Sequence, residues 1–274
     1  MPSMRSPGFV LAIAGFDPSC GAGVQADLRT LDALGVNSVA ALTAITVQAG
    51  HGVCKVRPVS AALVGEQIDE VLSQVPVSVV KCGQTPTEAI VLAVAKRVAG
   101  HGLPLVLDPV LEAGEGGSLV GEGVARALQK RLFPVATVLT VNLAEAASFS
   151  GFEVDCERSM AAAAKFLAAS GPRAVVVKGG HLEGEALDLM WDGKRLRRFP
   201  ARRREGPRLH GTGCAFASAV AAGLARGRSV ASSVRAGNHV RSLIDRAEEL
   251  DGGVALRRPP LGRRSIVRSR GGGV

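Results

Sequence analysis

The segment Val138-Leu139-Thr140-Val141-Asn142-Leu143-Ala144-Glu145 establishes the fold class, because a short apolar strand passes directly into a helix. Val138 to Thr140 form a strand-like run, and the helix is expected to begin at Leu143. The same strand-to-helix unit recurs on both sides of this segment. Repeated units of this kind, with strands that are apolar throughout, favour an α/β protein whose parallel sheet is covered on both faces.

The strand-to-helix units along the chain predict one large, mostly parallel sheet. A small hairpin is added to it, and Asp192-Gly193 is the turn signal of that hairpin. Ser60 is expected to cap one helix, and Thr85-Pro86-Thr87-Glu88 reads as a capping box with proline at the first helical position. Strands are predicted at residues 9–13, 38–47, 53–59, 77–81, 105–107, 138–140, 174–177, 186–191 and 195–199; helices are predicted at 22–34, 61–74, from 86, 122–132, from 143, 157–169, 214–225 and 230–250.

Polar residues and glycines follow these strands where each one ends. In an open α/β sheet the ligand lies beyond the carboxyl ends of the strands, so these residues are expected to meet at one edge. Any one of them alone is more simply a helix cap or a solvated loop residue, but six such ends together indicate a functional site. They are 15–23, Gln48, 81–84, Asp108, Asn142 with Glu145, and 178–181.

The turn His210-Gly211-Thr212-Gly213-Cys214 precedes a run of small and apolar residues with helical character. A glycine turn feeding a helix presents unpaired N–H groups and the positive end of the helix dipole, which predicts an anion site and most often a phosphate site. Cys214 would lie in the first turn, where the pKa of a thiol is expected to fall. The simpler alternatives are ordinary loop geometry and a small core cysteine.

Other phosphate-binding signatures are missing. There is no GxxxxGK[ST] motif, Phe216 breaks the dinucleotide fingerprint after Gly211 and Gly213, and neither HRD nor DFG occurs. Aromatic residues make up only 3% of the chain, which argues against nucleic-acid binding through stacked bases. The five scattered cysteines form no CxxC pair and indicate a reducing cytoplasm, and no apolar run is long enough to span a membrane.

The net charge of +9 is concentrated in two segments. Residues 194–208 carry eight Lys or Arg, and residues 257–270 carry six Arg without an acid. We interpret the excess as solvated charge; an RNA-binding or anion-binding patch is the less favoured alternative. The predicted organisation is one domain over residues 1–251, followed by an Arg/Gly-rich tail over 252–274 that is expected to be disordered.

Several motifs together resemble the hydroxymethylpyrimidine/phosphomethylpyrimidine kinases of thiamin biosynthesis, within the ribokinase superfamily. The cysteine of the last motif, where most of that superfamily has aspartate, is shared with a related group of pyridoxal kinases. The motifs are Ala14-Gly15-Phe16-Asp17-Pro18-Ser19, Gly21-Ala22-Gly23-Val24-Gln25-Ala26-Asp27, Leu42-Thr43-Ala44-Ile45-Thr46-Val47-Gln48, Val106-Leu107-Asp108-Pro109-Val110, Thr140-Val141-Asn142-Leu143-Ala144-Glu145, Val177-Lys178-Gly179-Gly180-His181-Leu182 and His210-Gly211-Thr212-Gly213-Cys214.

The resemblance implies a ribokinase-like, three-layer αβα fold and transfer of the γ-phosphoryl group of ATP to a hydroxymethyl group, often followed by a second transfer to the monophosphate. Such transfer depends on positioning and charge neutralisation. The implied roles are backbone N–H contacts from Gly211, Thr212, Gly213 and Cys214 to the phosphoryl oxygens; Mg²⁺ at Asp108 and Glu145; nucleotide or phosphate contacts from Asn142, Lys178 and Gly213; a proton contact from Cys214; and the acceptor ring at Gln48, Asp27 and Gly15.

The chain departs from the family pattern at several positions. Gln84 stands where the family has methionine, Leu111 also differs, and Gly114 replaces a lysine. A pyridoxal or pyridoxine kinase therefore stays as an alternative, and a non-catalytic pyrimidine sensor is an alternative from another class. The resemblance also implies a homodimer, for which the half-exposed strand at 53–59 is suited.

Overall fold

Nine strands form the central sheet of the computed structural model, which describes residues 8–49, 52–112, 117–180, 182, 186–201, 211–244, 248–250 and 253–255. Six of the strands pair parallel with one another, and the other three are added at the two sides by antiparallel pairing. In chain order they are β1 (Phe9–Phe16), β2 (Ser38–Ala49), β3 (Gly52–Pro58), β4 (Val77–Cys82), β5 (Leu105–Leu107), β6 (Val138–Asn142), β7 (Ala174–Gly179), β8 (Ala186–Trp191) and β9 (Leu196–Ala201).

The sheet order is β3-β2-β1-β4-β5-β6-β7-β8-β9. The chain therefore extends the sheet in one direction from β1 through β2 and β3, and in the other from β4 onward. The ends of β1, β4, β5, β6 and β7 meet at one carboxyl edge because these strands are parallel neighbours. This arrangement confirms the mostly parallel sheet predicted from the strand-to-helix repeats.

Helices cover both faces of the sheet and complete three layers. Side chains on β1 alternate between the two faces: Leu11 and Ile13 join the core under one helical layer, and Val10 joins the core under the other. The helices are α1 (Gly23–Ala33), α2 (Ala61–Gln74), α3 (Glu88–His101), α4 (Val124–Ala127), α5 (Leu143–Ser150), α6 (Glu157–Ala168), α7 (Thr212–Ala225) and α8 (Val230–Ile244). Helices α1, α7 and α8 pack on one face, and α2 to α6 pack on the opposite face.

The capping box predicted at Thr85 is wrong. Helix α3 begins at Glu88, and its cap is Thr87, whose side-chain oxygen accepts from Ile90 N at 3.3 Å. Pro86 instead lies before the helix, where its carbonyl oxygen accepts from Gly121 N at 2.9 Å. Tertiary hydrogen bonding therefore keeps the 83–86 segment outside the helix, although its sequence is a suitable helix start.

The single helix predicted at 122–132 is also wrong. The structure has the one-turn helix α4, then a π turn over Leu128–Leu132 and a 3-10 turn over Phe133–Val135. Pro134 cannot supply the N–H that a continuing α-helix needs, and the wider turn brings Leu128, Leu132 and Phe133 into the core.

The last predicted helix is too long. Helix α8 ends at Ile244, and two short strands, β10 (Glu248–Leu250) and β11 (Gly253–Ala255), pair antiparallel. The Asp251-Gly252 pair between them is a hairpin signal that outweighs the helical pattern. The boundary expected at residue 252 lies outside the described residues, as does the Arg-rich tail after Ala255. No helix among those described is both long and apolar enough to cross a membrane.

Candidate active site

Asp108 and Lys178 form the centre of the carboxyl edge. Asp108 follows β5, and its Oδ1 accepts from Lys178 Nζ and from Thr140 Oγ1, each at 2.8 Å. Lys178 and Thr140 belong to β7 and β6, so one carboxylate oxygen joins three neighbouring strands. The two bonds and the adjacent cation keep the pKa of Asp108 below its usual range, although burial acts to raise it. The carboxylate is therefore held ionised and fixed in direction.

Glu145 lies beside this pair in the first turn of α5. Its Oε2 accepts from Asn142 N at 2.8 Å, while Asn142 Oδ1 accepts from Glu145 N at 2.7 Å, which forms a complete capping box. Burial raises the pKa of Glu145 to about 7, Lys178 lowers it, and the Asp108 carboxylate adds to the rise. Two carboxylates thus share a poorly solvated place near one ammonium group.

The 211–214 turn faces the Asp108–Lys178 pair, as the anion-site prediction requires. A Cβ added to Gly213 would lie 3.3 Å from Lys178 Nζ and 3.9 Å from Asp108 Oδ2. Gly211 precedes the fourteen-residue helix α7 with a φ of +80°. The positive end of a full helix, unpaired backbone N–H groups and a lysine therefore converge on one small space. His210 lies outside the described residues.

Asp17 shapes the loop that packs against this turn, a role that the sequence analysis missed. Its Oδ1 accepts from Ser19 N at 2.9 Å and its Oδ2 accepts from Ala22 N at 2.8 Å. The loop brings the Gly21 carbonyl so close to Gly211 that any side chain on Gly211 would overlap it. The Asp-Pro-Ser order is a typical Asx-turn signal and could have identified this role.

The structure reverses the expected acidity of Cys214. Burial raises the pKa of its thiol to about 11, and the Asp27 and Asp108 carboxylates add to the rise. Lys81 and the backbone N–H of Gly23 lower it by less. The helix N-terminus was expected to favour the thiolate, but the loss of water around the half-buried Cys214 outweighs that effect. Cys214 is therefore a neutral thiol at pH 7 in the absence of ligands.

Asp27 lies behind the site. The substrate contact that the family resemblance implied would require it to lie at the surface of the site. It has no exposed surface; Oδ2 accepts from Lys81 Nζ at 2.7 Å, and Oδ1 accepts from Ser218 Oγ at 2.8 Å. The two bonds connect α1, β4 and α7. Burial lowers the pKa of Lys81, but the nearby acidic groups, Asp27 foremost, together outweigh burial and raise that pKa above its usual range. Lys81 and Ser218 had no assigned role in the sequence analysis.

The acceptor-ring candidates lie near the ends of β1 and β2. Gln48 is half-buried, and its Oε1 lies 3.3 Å from Thr46 Oγ1, whose single proton is donated to the Phe16 carbonyl at 2.9 Å. A Cβ on Gly15 would overlap the side-chain amide oxygen of Gln84. Glycine at 15 is therefore required by a close approach to Gln84, and Gln48 lies at the rim beside β1.

The arrangement can hold a polyanion and one divalent cation. No group of three or more His, Cys, Asp or Glu suited to a metal occurs within the part of the chain that the structure describes. Asp108 and Glu145 together still fit Mg²⁺, which usually takes one or two carboxylates and completes its shell with waters and phosphate oxygens. A cation there would also relieve the repulsion that helps to raise the pKa of Glu145.

Comparisons with known proteins agree with this geometry. A family model described as phosphomethylpyrimidine kinase matches residues 17–255. The hydroxymethylpyrimidine/phosphomethylpyrimidine kinase of Streptomyces coelicolor is 41% identical over 250 residues, covering 91% of this chain and 93% of its own.

Solved structures agree as well. The phosphomethylpyrimidine kinase of Clostridium difficile superposes with a TM-score of 0.76 at 30% identity, covering 85% of this chain and 97% of that one. The pyridoxal kinase of Staphylococcus aureus, in complex with AMP-PCP and pyridoxal, gives a TM-score of 0.85 at 31% identity, covering 95% and 96%. These likenesses confirm the expected ribokinase-like fold.

Proposed function

The chain belongs to the phosphomethylpyrimidine kinase family, and we propose that it phosphorylates hydroxymethylpyrimidine and then its monophosphate, with ATP as the phosphoryl donor. The observation that carries the proposal is the meeting of the 211–214 turn with the Asp108–Lys178 pair. A phosphoryl group in this space would contact backbone N–H donors from one side and an ammonium group from the other. Phosphoryl transfer is accelerated by such positioning and charge neutralisation.

Each residue of the cluster has a distinct part in this reaction. The N–H groups of Gly211, Thr212, Gly213 and Cys214 would orient the oxygens of the group in transfer, and Lys178 would neutralise their charge. Asp108 and Glu145 would hold Mg²⁺, which on binding supplies positive charge to the phosphate oxygens. Asn142 fixes Glu145 through the capping box and would reach the nucleotide phosphates. Cys214, as a neutral thiol, would orient the acceptor hydroxyl by hydrogen bonding.

Gln48 and Gly15 would bind the acceptor ring. The Gln48 side-chain amide has a donor and an acceptor, which suits a ring nitrogen beside an exocyclic amine. Asp27 would support the pocket from behind through Lys81 and Ser218, without contact to the ring.

A pyridoxal kinase is the second candidate, favoured by one observation. The Staphylococcus aureus pyridoxal kinase superposes with a higher TM-score (0.85) than the Clostridium difficile phosphomethylpyrimidine kinase (0.76). Curated relatives favour the pyrimidine, since the Streptomyces coelicolor protein at 41% identity has that name.

The test is an ADP-release assay with Mg-ATP and each of three acceptors: hydroxymethylpyrimidine, its phosphate, and pyridoxal. We expect turnover with the first two and a lower kcat/KM for pyridoxal. A higher kcat/KM for pyridoxal would make the protein a pyridoxal kinase. Binding of the pyrimidine without turnover of any acceptor would make it a pyrimidine sensor.

We further propose a homodimer that works in the cytoplasm without a nucleic-acid partner. Ile45 and Val47 on β2 are 54% and 55% exposed, which leaves apolar surface near the β3 side of the sheet for a second copy. All five cysteines are free, as a reducing compartment requires. Light scattering at micromolar concentrations should give twice the chain mass; a monomer would contradict the dimer.

The domain proposal is a single kinase unit over residues 1–251 with a dispensable tail. Because β11 extends the paired structure to Ala255, the cut that tests it is deletion of residues 256–274. We expect kinase activity and melting temperature to stay nearly unchanged. A large loss of either would show that the tail belongs to the kinase unit.

A further inference from the structure

Gln84 is a buried polar residue next to the proposed acceptor site, and it has none of the roles proposed for phosphoryl transfer. It follows β4 and is 8% exposed. Its Nε2 donates to the Leu119 carbonyl at 3.1 Å, and its backbone carbonyl accepts from Thr43 Oγ1 at 2.7 Å. The first bond fixes the side-chain amide, and the second fixes the backbone of the same residue. The amide cannot be flipped, because only the NH₂ group can satisfy the Leu119 carbonyl.

The amide oxygen is therefore directed toward β1. It occupies the place where a side chain on Gly15 would lie, so the oxygen and the Gly15 backbone are in direct contact. Among the described residues no donor bonds to this oxygen, and Gln84 keeps 8% of its surface exposed. Gln84 thus presents a single acceptor of fixed direction beside the residue proposed to contact the ring.

The same side chain is connected to the metal end of the site. Leu119 N donates to the Leu111 carbonyl at 2.9 Å, and Glu112 pairs with Ser118 in an isolated antiparallel bridge. The Leu111 N–H donates to the Glu145 carboxylate. A continuous series of hydrogen bonds therefore runs from Gln84 through two backbone segments to Glu145. A change at Gln84 could act on the acceptor ring, on Glu145, or on both.

We propose that Gln84 is a specificity-determining residue that selects acceptor rings bearing an exocyclic amine. The inference rests on the proposed function. An amide oxygen of fixed direction binds an exocyclic amine and opposes a carbonyl or phenolate oxygen, because two acceptors repel when no proton lies between them. An aminopyrimidine offers such a donor, whereas pyridoxal presents aldehyde and phenolic oxygens. A thioether in place of Gln84 would not distinguish the two.

The experiment compares Gln84→Met with Gln129→Met. Gln129 is a matched control because its Nε2 also donates to a backbone carbonyl, that of Phe149, at 2.9 Å. The kcat/KM ratio of hydroxymethylpyrimidine to pyridoxal is measured for wild type and both variants. We expect Gln84→Met to lower the ratio roughly fivefold to tenfold, the scale of one hydrogen bond, mainly through a higher KM for the pyrimidine. Gln129→Met should leave the ratio within twofold of wild type.

A purely structural role for Gln84 would lower kcat/KM for both acceptors equally, and an unchanged ratio would overturn the proposal. A rise in the KM for ATP with an unchanged ratio would assign Gln84 to the Glu145 end and would also overturn it. If the wild type phosphorylates neither acceptor, the proposed function fails. Calorimetry on the same variants then gives the ratio of the dissociation constants for hydroxymethylpyrimidine and pyridoxal. A failure of the proposed function is therefore distinguishable from a failure of the specificity proposal.

Discussion

Two lysine–aspartate pairs lie near the same carboxyl edge, and they differ in depth more than in geometry. Lys81 and Asp27 are 2.7 Å apart with no exposed surface on either side chain. Lys178 and Asp108 are 2.8 Å apart, with 10% and 2% of their side chains exposed. The second pair faces the 211–214 turn, whereas the first lies behind it and is bonded to Ser218.

This difference in depth indicates a structural role for the first pair and a role in ligand binding for the second. A fully buried pair with both charges compensated cannot reach a substrate, but loss of either partner would leave an uncompensated charge in a low dielectric. A pair at the edge can exchange its partner for an incoming phosphate or cation. We therefore assign stability and positioning to Lys81–Asp27, and phosphate and metal contacts to Lys178–Asp108.

The largest expected effect comes from removing each ammonium group in turn. Lys81→Met should lower the free energy of unfolding by about 3 to 5 kcal/mol, because Asp27 would be left buried without a counter-charge. Lys178→Met should instead lower kcat by roughly 10² to 10³, with a smaller change in stability. Urea unfolding and steady-state kinetics on both variants measure the contrast.

The double variant Lys81→Met/Asp27→Asn is the control for that contrast. It removes both charges and should recover much of the lost stability. Equal losses of stability from the two lysine variants, or a severe kinetic defect in a folded double variant, would contradict the assignment.

Glu145 provides the second test, through pH. Burial raises its pKa from 4.5 to about 7 in the metal-free folded chain, so the folded state binds the proton more tightly than the unfolded state does. The free energy of unfolding should therefore fall, by up to about 3 kcal/mol, as pH rises through that window. Urea unfolding in EDTA between pH 4.5 and 8 measures this.

Glu145→Gln should lack the decline, and the exposed Glu122→Gln should retain it. A decline of equal size in the Glu145 variant would show that another group carries the pH dependence. Added Mg²⁺ should flatten the wild-type curve if the cation binds at Asp108 and Glu145.

The sequence was a good guide to the Lys178–Asp108 pair and a poor guide to the other. Parallel strand ends meet at one edge, so Asp108, Glu145 and Lys178 could be placed together from the strand pattern alone. The sequence pattern does not show how far below that edge a side chain is buried. Asp27 was expected in the pocket on the family resemblance alone, and Lys81 was not distinguished from other residues at strand ends.

Cys214 and Gln84 show a second limit. The sequence placed Cys214 at a helix N-terminus but could not show that burial would outweigh the dipole. It identified Gln84 as a departure from the family pattern, while its bond to Leu119 depends on the pairing of Leu119 with Leu111. Contacts between segments far apart in sequence decide both cases.

Cys214→Ser should have a smaller effect than either test above. Because the pKa of the thiol is raised to about 11, it is protonated at pH 7.5 and is a poor general base. We expect kcat to fall less than about tenfold, with Cys156→Ser as an exposed control. A loss of 10² or more would show that substrate binding generates the thiolate, and that Lys178–Asp108 acts together with a base.

Ser218→Ala gives the smallest effect and the finest test of the comparison. It removes one hydrogen bond to Asp27 but leaves the ion pair to Lys81, so it should cost about 1 kcal/mol of stability and leave kcat within twofold. Ser233→Ala is the matched control: Ser233 is equally buried, and among the described residues its hydroxyl bonds only to the Ser229 carbonyl of the preceding turn. If Ser218→Ala lowered kcat tenfold at unchanged stability, the buried pair would be positioning the 211–214 turn through α7 during transfer. The Lys81–Asp27 pair would then contribute to catalysis although it lies too far from the substrate to touch it.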